Sequence, residues 1–376
     1  MKQKNIYLSV TNDVVNDQRV IRTAKTLMKS GANIFVIGRY RANTPTITRL
    51  PFAVIRFRML FSSGPLFYAS INIRIFFYLL FRKPSVLVAN DLDTLLPNYI
   101  VSRIKGCNLV YDAHEYFTGI PEIQDRRVVK WIWNRIERSV FPKLKHAYTV
   151  SPSIARLYAE KYEVETGVVR NIPLRWDPPD KPPALSFECD PGKKMIVLQG
   201  TGINVDRGAE EAVEAMKYVT NAVLFIIGSG DVLPVLKQKT TDLNLEDKIR
   251  FVGRMPYHEL MWYTAGADLG LSLDKGASLN YRYSLPNKLF DYIQAGIPVL
   301  ASDLTEVGSI IRTFGIGELI ESHDPQHIAE RIEFMLNAEE RRKEWKENLV
   351  RAKEELCWEK EEKKLTEIYK RVGLEF

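Results

Sequence analysis

Lys288 lies three residues before Asp291 and Asn287 lies four before it, so on a helix the three side chains share one face. Pro286 fits a first helical turn, where its missing N–H costs nothing, and Ser284 can cap it, which places a helix from near residue 285. Gly296 is a natural left-handed end, and Pro298 leads into Val299-Leu300-Ala301, an apolar run that reads as a buried strand. The first-turn N–H groups of Asn287, Lys288 and Leu289 are left without intrahelical partners, and the macrodipole adds about half a positive charge there. Such an end holds phosphate. With Lys288 adding a full charge and Asp291 one turn deeper to accept from ribose hydroxyls, the pattern suits a nucleoside diphosphate. From these residues alone, an ordinary amphipathic helix with one weak ion pair fits equally well.

Other candidates follow from where strands end. Ile6–Val10, a helix through Leu27 and Ile34–Ile37 make a β-α-β opening, so a parallel sheet is expected. Its first loop, Thr11–Arg19, lies at the carboxyl edge of the sheet, where open α/β folds bind ligands, and offers Asn12, Asp17 and Arg19. A solvated polar loop is the plainer reading. The loop lacks Gly-x-Gly-x-x-Gly, which argues against a dinucleotide oxidoreductase. His114 follows the strand Leu109–Tyr111 within Asp112-Ala113-His114-Glu115, and a lone histidine there is either structural or faces the ligand. In the second half, glycine-bearing loops recur at strand ends, among them Gly200–Gly202, Gly228–Asp231 and Gly253-Arg254, and Arg207-Gly208 opens a helix.

The run PNKLFDY followed by AGIPVLAS resembles the donor-binding signature of GT-B glycosyltransferases of family four, the glycosyl transferases group 1. The resemblance extends through TNDVVNDQRV, NDLDTLLP and DAHE, and so covers most of the chain. It implies two Rossmann-like α/β domains facing across a cleft, with a C-terminal helix crossing back to the first. It implies donor binding by Arg207, Gly228, Gly230, Arg254, Tyr283, Asn287, Lys288, Leu289 and Asp291, the last as the ribose acid, with Asp where Glu is usual. The family's earlier acid falls on Tyr283 and a companion arginine on Thr201, two departures. His114 falls beside the donor sugar, and His114, Glu115 and Asp17 form the expected catalytic set. The implied reaction moves a sugar from a nucleotide-diphosphate sugar to a glycan or lipid-linked acceptor, with retention, in cell-surface polysaccharide or glycolipid synthesis. No cofactor or metal is expected, since no Asp-x-Asp cluster stands in the right place and Lys, Arg and helix dipoles can stabilise the leaving diphosphate. The rivals are a GT-B nucleotide-sugar epimerase or hydrolase and a non-catalytic scaffold.

At 376 residues the chain suits two domains, and its composition, 45% hydrophobic and 26% charged, is ordinary for a globular protein. The expected boundaries are 1–172 for the first domain, joined by helix 358–376, a proline-rich linker over 173–192, and 193–357 for the donor domain. Cys107, Cys189 and Cys357 are too scattered for a disulfide framework or a zinc site. MKQKNIYLSVTND runs into a strand without a signal-type apolar core, so a cytoplasmic protein is expected, free or peripheral on the inner face of the cell membrane. Residues 1–170 hold 26 Lys and Arg against 12 Asp and Glu, a balance of +14, so with a total of +7 the remainder carries −7. With the excess confined to one half and no recognition motif, a nucleic-acid partner is excluded. An anionic membrane surface is the expected partner of that half. Arg126–Lys145 has seven basic residues and one acid, with Trp131, Trp133 and Phe141 either for the interface or packed inward on a solvated helix, and PLFYASINIRIFFYLLFRK reads as a buried helix or a membrane-surface one.

Overall fold

The computed structural model describes residues 3–41, 50–124, 126–178 and 192–376. They form two compact units, Met1–Asn171 with Glu361–Phe376, and Ile172–Lys360. Most of the proline-rich stretch, with Cys189, lies outside the described residues.

Unit 1 contains the strands β1 (Asn5–Ser9), β2 (Asn33–Arg39), β3 (Ala53–Phe57), β4 (Val86–Asn90), β5 (Asn108–Ala113), β6 (Ala147–Thr149) and β7 (Gly167–Val168). All pair in parallel, in the order β3-β2-β1-β4-β5-β6-β7. β4, Val-Leu-Val-Ala-Asn, is buried throughout, as a parallel strand covered on both faces must be. The connections from β3 to β6 run through the helices Gly64–Leu80, Leu92–Lys105 and Arg127–Val140, which pack side by side, and right-handed crossovers place them on one face of the sheet. The sheet reverses direction between β1 and β4, where open α/β sheets form a ligand crevice.

Unit 2 repeats the plan with β8 (Lys194–Gly200), β9 (Ala222–Gly228), β10 (Ile249–Val252), β11 (Leu269–Ser272), β12 (Val299–Ser302) and β13 (Gly317–Ile320), parallel in the order β10-β9-β8-β11-β12-β13. Its switch point lies between β8 and β11. Alternation along β8 feeds both faces, Ile196 and Leu198 into one apolar core and Val197 into the other, the latter shared with Leu289, Phe290 and Ile293 of helix Asn287–Ala295. β13 is not visible in the sequence, because four residues, Gly-Glu-Leu-Ile, give too short a run to separate from the helices beyond it.

The last helix, Trp358–Lys370, ends in unit 1. Leu365 and Tyr369 are fully buried, Glu361 accepts from the Arg170 N–H at 2.9 Å, and Glu362 accepts from Thr26 and Lys29, each at 2.7 Å. Trp358, at the start of the helix expected to join the first domain, belongs to unit 2, where its N–H donates to the Pro173 carbonyl at 2.7 Å. Leu365→Ala should therefore destabilise unit 1 by about 2–5 kcal/mol through the cavity it leaves. Differential scanning calorimetry should show one transition lowered and the other unmoved; a uniform shift of both would contradict the division.

Candidate active site

In unit 1 the carboxyl ends of β1, β4 and β5 converge on one cluster. Asp91, just past β4, has φ 60°, which a non-glycine residue adopts only under strain. Two bonds hold it there: its N–H donates to the Asp112 carbonyl at 2.8 Å, and its Oδ1 accepts from the His114 N–H at 2.7 Å. The imidazole then lies between two acids, Nδ1 3.3 Å from Asp91 Oδ2 and Nε2 3.2 Å from Asp112 Oδ2, the second an ion-pair contact without hydrogen-bond alignment. Thr11, beyond β1, donates to Asp93 at 2.5 Å. Behind the cluster Arg19 forks onto Asp112, with Nε 3.1 and 3.0 Å from its two oxygens and Nη2 2.6 Å from Oδ1, while Nη1 donates to the Val169 carbonyl at 3.0 Å.

These contacts set the charges. Burial alone would lower the His114 pKa, but the Asp91 and Asp112 carboxylates overcome it and raise it to about 9. Burial would raise Asp112, yet Arg19 and His114 hold it well below the usual carboxylate range. Burial raises Asp91 to about 8 and Asp93 to about 7. Asp112, held ionised beside the ring, therefore favours the protonated imidazole, a hydrogen-bond donor rather than a base.

The cluster forms the polar wall of a cavity of about 710 Å³. The opposite wall is apolar and comes largely from the inner face of helix Arg127–Val140: Val129, Ile132, Trp133 and Ile136, with Phe117 beside them. Asp17 and Glu115 also line it. Asp17 in addition caps the helix Gln18–Met28, accepting from Val20 N–H at 3.1 Å.

In unit 2 the cations meet on a residue the sequence reading passed over. Asp274, buried just past β11, takes Arg207 Nη1 on Oδ1 at 3.0 Å and Lys288 Nζ on Oδ2 at 3.1 Å. Burial would raise its pKa, but Lys288 and then Arg207 lower it. Arg207 also lies 4.1 Å over the Tyr281 ring. Asp274 was discoverable by the same argument that drew attention to the glycine loops, namely position at the carboxyl end of a strand.

The other predicted donor residues divide. Helix Asn287–Ala295 starts two residues later than expected, with Pro286 in the cap position, and Ser284 does not cap it but donates to the Tyr281 carbonyl at 3.3 Å. The Leu289 N–H is already engaged, donating to the Pro286 carbonyl at 3.1 Å, and its side chain is core. Asp291 is buried and accepts from Tyr257 Oη at 2.8 Å and Gln199 Nε2 at 3.0 Å. Asn287 is exposed at the helix mouth and Tyr283 half-buried at the end of the short helix Leu279–Tyr283. Arg254 is exposed in the loop after β10, outside the Asp274 cluster. Gly228 and Gly230 are glycine for backbone packing: a Cβ would meet the Gly200 oxygen at 1.8 Å from the first and the Ile203 oxygen at 2.0 Å from the second.

Residues 189–351 match the family model described as glycosyl transferases group 1, so unit 2 carries a domain of that family, as the PNKLFDY run implied. The two parallel-sheet units are those of the GT-B fold. Sucrose-phosphate synthase from Thermosynechococcus elongatus superposes with a TM-score of 0.78 at 16% identity, covering 98% of this chain and 99% of that one. WaaG, a glycosyltransferase involved in lipopolysaccharide biosynthesis, gives 0.71 at 16%, covering 96% and 99%. HepE from Anabaena, in complex with UDP-glucose, gives 0.70 at 13%, covering 98% and 99%. A curated relative, the amylovoran biosynthesis glycosyltransferase AmsK of Erwinia amylovora, is 31% identical over 139 residues, 36% of this chain and 34% of its own length. The chain thus aligns with about a third of that relative.

A group whose pKa is raised on folding binds its proton more tightly in the native state, so its contribution to stability is complete below the unfolded pKa and lost as pH rises through the folded value. For His114 that window runs from its ordinary 6.5 to about 9, and Asp91 and Asp93, both raised, act with the same sign up to about 8 and about 7. The melting temperature should fall as pH rises from 6.5 to 9, and His114→Asn should flatten the decline. Parallel profiles for the two proteins would show that the histidine's charge is not linked to folding.

Proposed function

We propose that the chain is a glycosyltransferase that moves a sugar from a nucleotide-diphosphate sugar to an acceptor hydroxyl with retention, in the synthesis of a cell-surface polysaccharide or glycolipid. Unit 2 takes the donor, and unit 1 takes a glycan or lipid-linked acceptor in the cavity beside His114. The observation that carries this reading is the pairing of Arg207 and Lys288 on Asp274 at the mouth of helix Asn287–Ala295. Two cations and a helix N-terminus provide the electrostatics a leaving diphosphate needs as the bond from the anomeric carbon to its oxygen breaks. The group 1 match over residues 189–351 supports the assignment, and the UDP-glucose bound by HepE supports a nucleotide sugar as donor.

In this mechanism the acceptor oxygen bonds to the anomeric carbon on the face the diphosphate leaves, and the acceptor proton passes to the departing oxygen. His114, its protonated form favoured by ionised Asp112, donates to a sugar oxygen rather than removing a proton. Reaction at the inner face of the cell membrane without a cofactor or metal completes the reading.

A thermal-shift screen against nucleoside diphosphates identifies the base, since a ligand at a hundred times its dissociation constant stabilises by about 2.7 kcal/mol. Lys288→Ala removes a charge-assisted contact worth roughly 1.5–3 kcal/mol, so the affinity for that nucleotide should fall about tenfold or more by calorimetry. His114→Ala should lose most turnover while keeping nucleotide affinity. Unchanged affinity in folded Lys288→Ala would remove the donor assignment, and full release of free sugar from donor without acceptor would point to a hydrolase instead.

A further inference from the structure

The outer face of the three-helix layer of unit 1 gathers exposed apolar side chains. Helix Gly64–Leu80 buries Phe67, Ile71, Ile75 and Leu79. Its opposite side presents Ile73 and Phe77, and Phe81, 80% exposed, continues that side past the helix end. Ile104 stands out from helix Leu92–Lys105, and Val128 and Trp131 from helix Arg127–Val140 at 71% and 67% exposure. An amphipathic helix in a globular domain turns such residues inward; here neighbouring helices carry them on the outer side as well. The expected interfacial aromatics need correcting, because Trp133 is buried edge-on against Phe117 and Tyr68, and Phe141 is buried against Tyr158 at 4.3 Å. Of the three, Trp131 alone faces out.

Charge separates the candidate occupants. From Met59 to Asn90 and from Thr94 to Tyr111 the sequence holds no Asp or Glu. The one acid of helix Arg127–Val140, Glu137, is fully buried and paired with Lys161 at 2.7 Å. Arg74, Arg82, Arg103, Lys105, Arg127 and Arg135 are exposed on the same three helices and their ends. A second copy of this face would meet it with like charge, and a nucleic acid would leave the Ile, Phe and Val side chains against phosphate. Among the described residues of these helices, apolar side chains flanked by cations without an exposed acid match the boundary of a negatively charged bilayer, where headgroups take the cations and acyl chains the apolar side chains.

We infer that this face docks unit 1 on an anionic lipid bilayer. Among the described residues no helix is long and apolar enough to cross a membrane, so the contact is with the surface. Helix Arg127–Val140 presents Val128 and Trp131 on the docking face and lines the cavity with Val129, Ile132 and Ile136, so it connects that face to the pocket beside His114. The inference deepens the acceptor reading and rests on it for the acceptor alone, which becomes one anchored in that bilayer; docking itself is measured without any turnover.

The full chain is sedimented with phosphatidylcholine vesicles with and without phosphatidylglycerol, at low and high salt. Binding should require phosphatidylglycerol and weaken as salt rises. It should fall roughly tenfold or more in a charge variant, Arg82→Glu with Arg103→Glu and Arg127→Glu. An apolar variant, Phe77→Ser with Phe81→Ser and Trp131→Ser, should fall comparably. These side chains are solvent-exposed, so melting temperatures should hold; should a variant fail to fold, the lipid and salt dependence of the unaltered chain still decides. Equal recovery with both vesicle types, recovery with neither, or anionic binding that the apolar variant keeps and duplex DNA abolishes would each overturn the inference. Nucleotide affinity unchanged by both variants shows that a failure here is not a failure of the donor assignment.

Discussion

A single guanidinium organises unit 1. Arg19 reaches from helix Gln18–Met28 into the sheet, forks onto Asp112 at the end of β5 and donates to the Val169 carbonyl just past β7, all out of water. Leaving one partner of such a pair uncompensated costs about 3–5 kcal/mol, so the three segments are held in register as long as both are present. The same carboxylate faces His114, so the strap that fixes the backbone also fixes the charge of the imidazole. Asp91, held in a strained conformation by bonds to Asp112 and His114, completes the arrangement. Fold and site are one network here, which is why Arg19 is better understood as part of the core than as the substrate contact its loop position suggested.

Unit 2 solves the opposite electrostatic problem. Its overall balance by sequence is acidic, yet at its switch point two cations stand next to each other, and the residue that makes this tolerable is Asp274, one negative charge between two positive ones. The trio keeps a net positive charge while neither cation is left exposed to the other's full field. A polyanion approaching it meets side chains already held in place, and fixed dipoles and charges cost little reorganisation when a ligand arrives.

The parallel sheets were legible because their strands are short apolar runs ending in Gly, Asp or Asn, a pattern that survives without knowledge of tertiary contacts. Helix Asn287–Ala295 was legible for the same local reasons, Pro before it and Gly296 after it. Asp274 was legible only as a polar residue at the carboxyl end of a strand, since nothing near it in sequence announces that Arg207 and Lys288, on either side of it, will fold onto it. Nor could the alternation of Trp131 outward and Trp133 inward be settled beforehand: both aromatics sit in one basic segment, and which faces out depends on where Phe117 and Tyr68 lie. The shared lesson is that strand ends can be read locally, whereas the choice of partner for a charge or a ring is a property of the assembled unit.

The return of Glu361–Phe376 to unit 1 has a temporal meaning. During synthesis the first 171 residues emerge well before the helix that buries Leu365 and Tyr369 among them, and the whole of unit 2 is made in between. Domains generally fold as units as they leave the ribosome, so unit 2 has all its parts while unit 1 still lacks its last helix. Unit 1 starts first and finishes last, and for that interval its unfilled surface is the part of the nascent chain most in need of a chaperone.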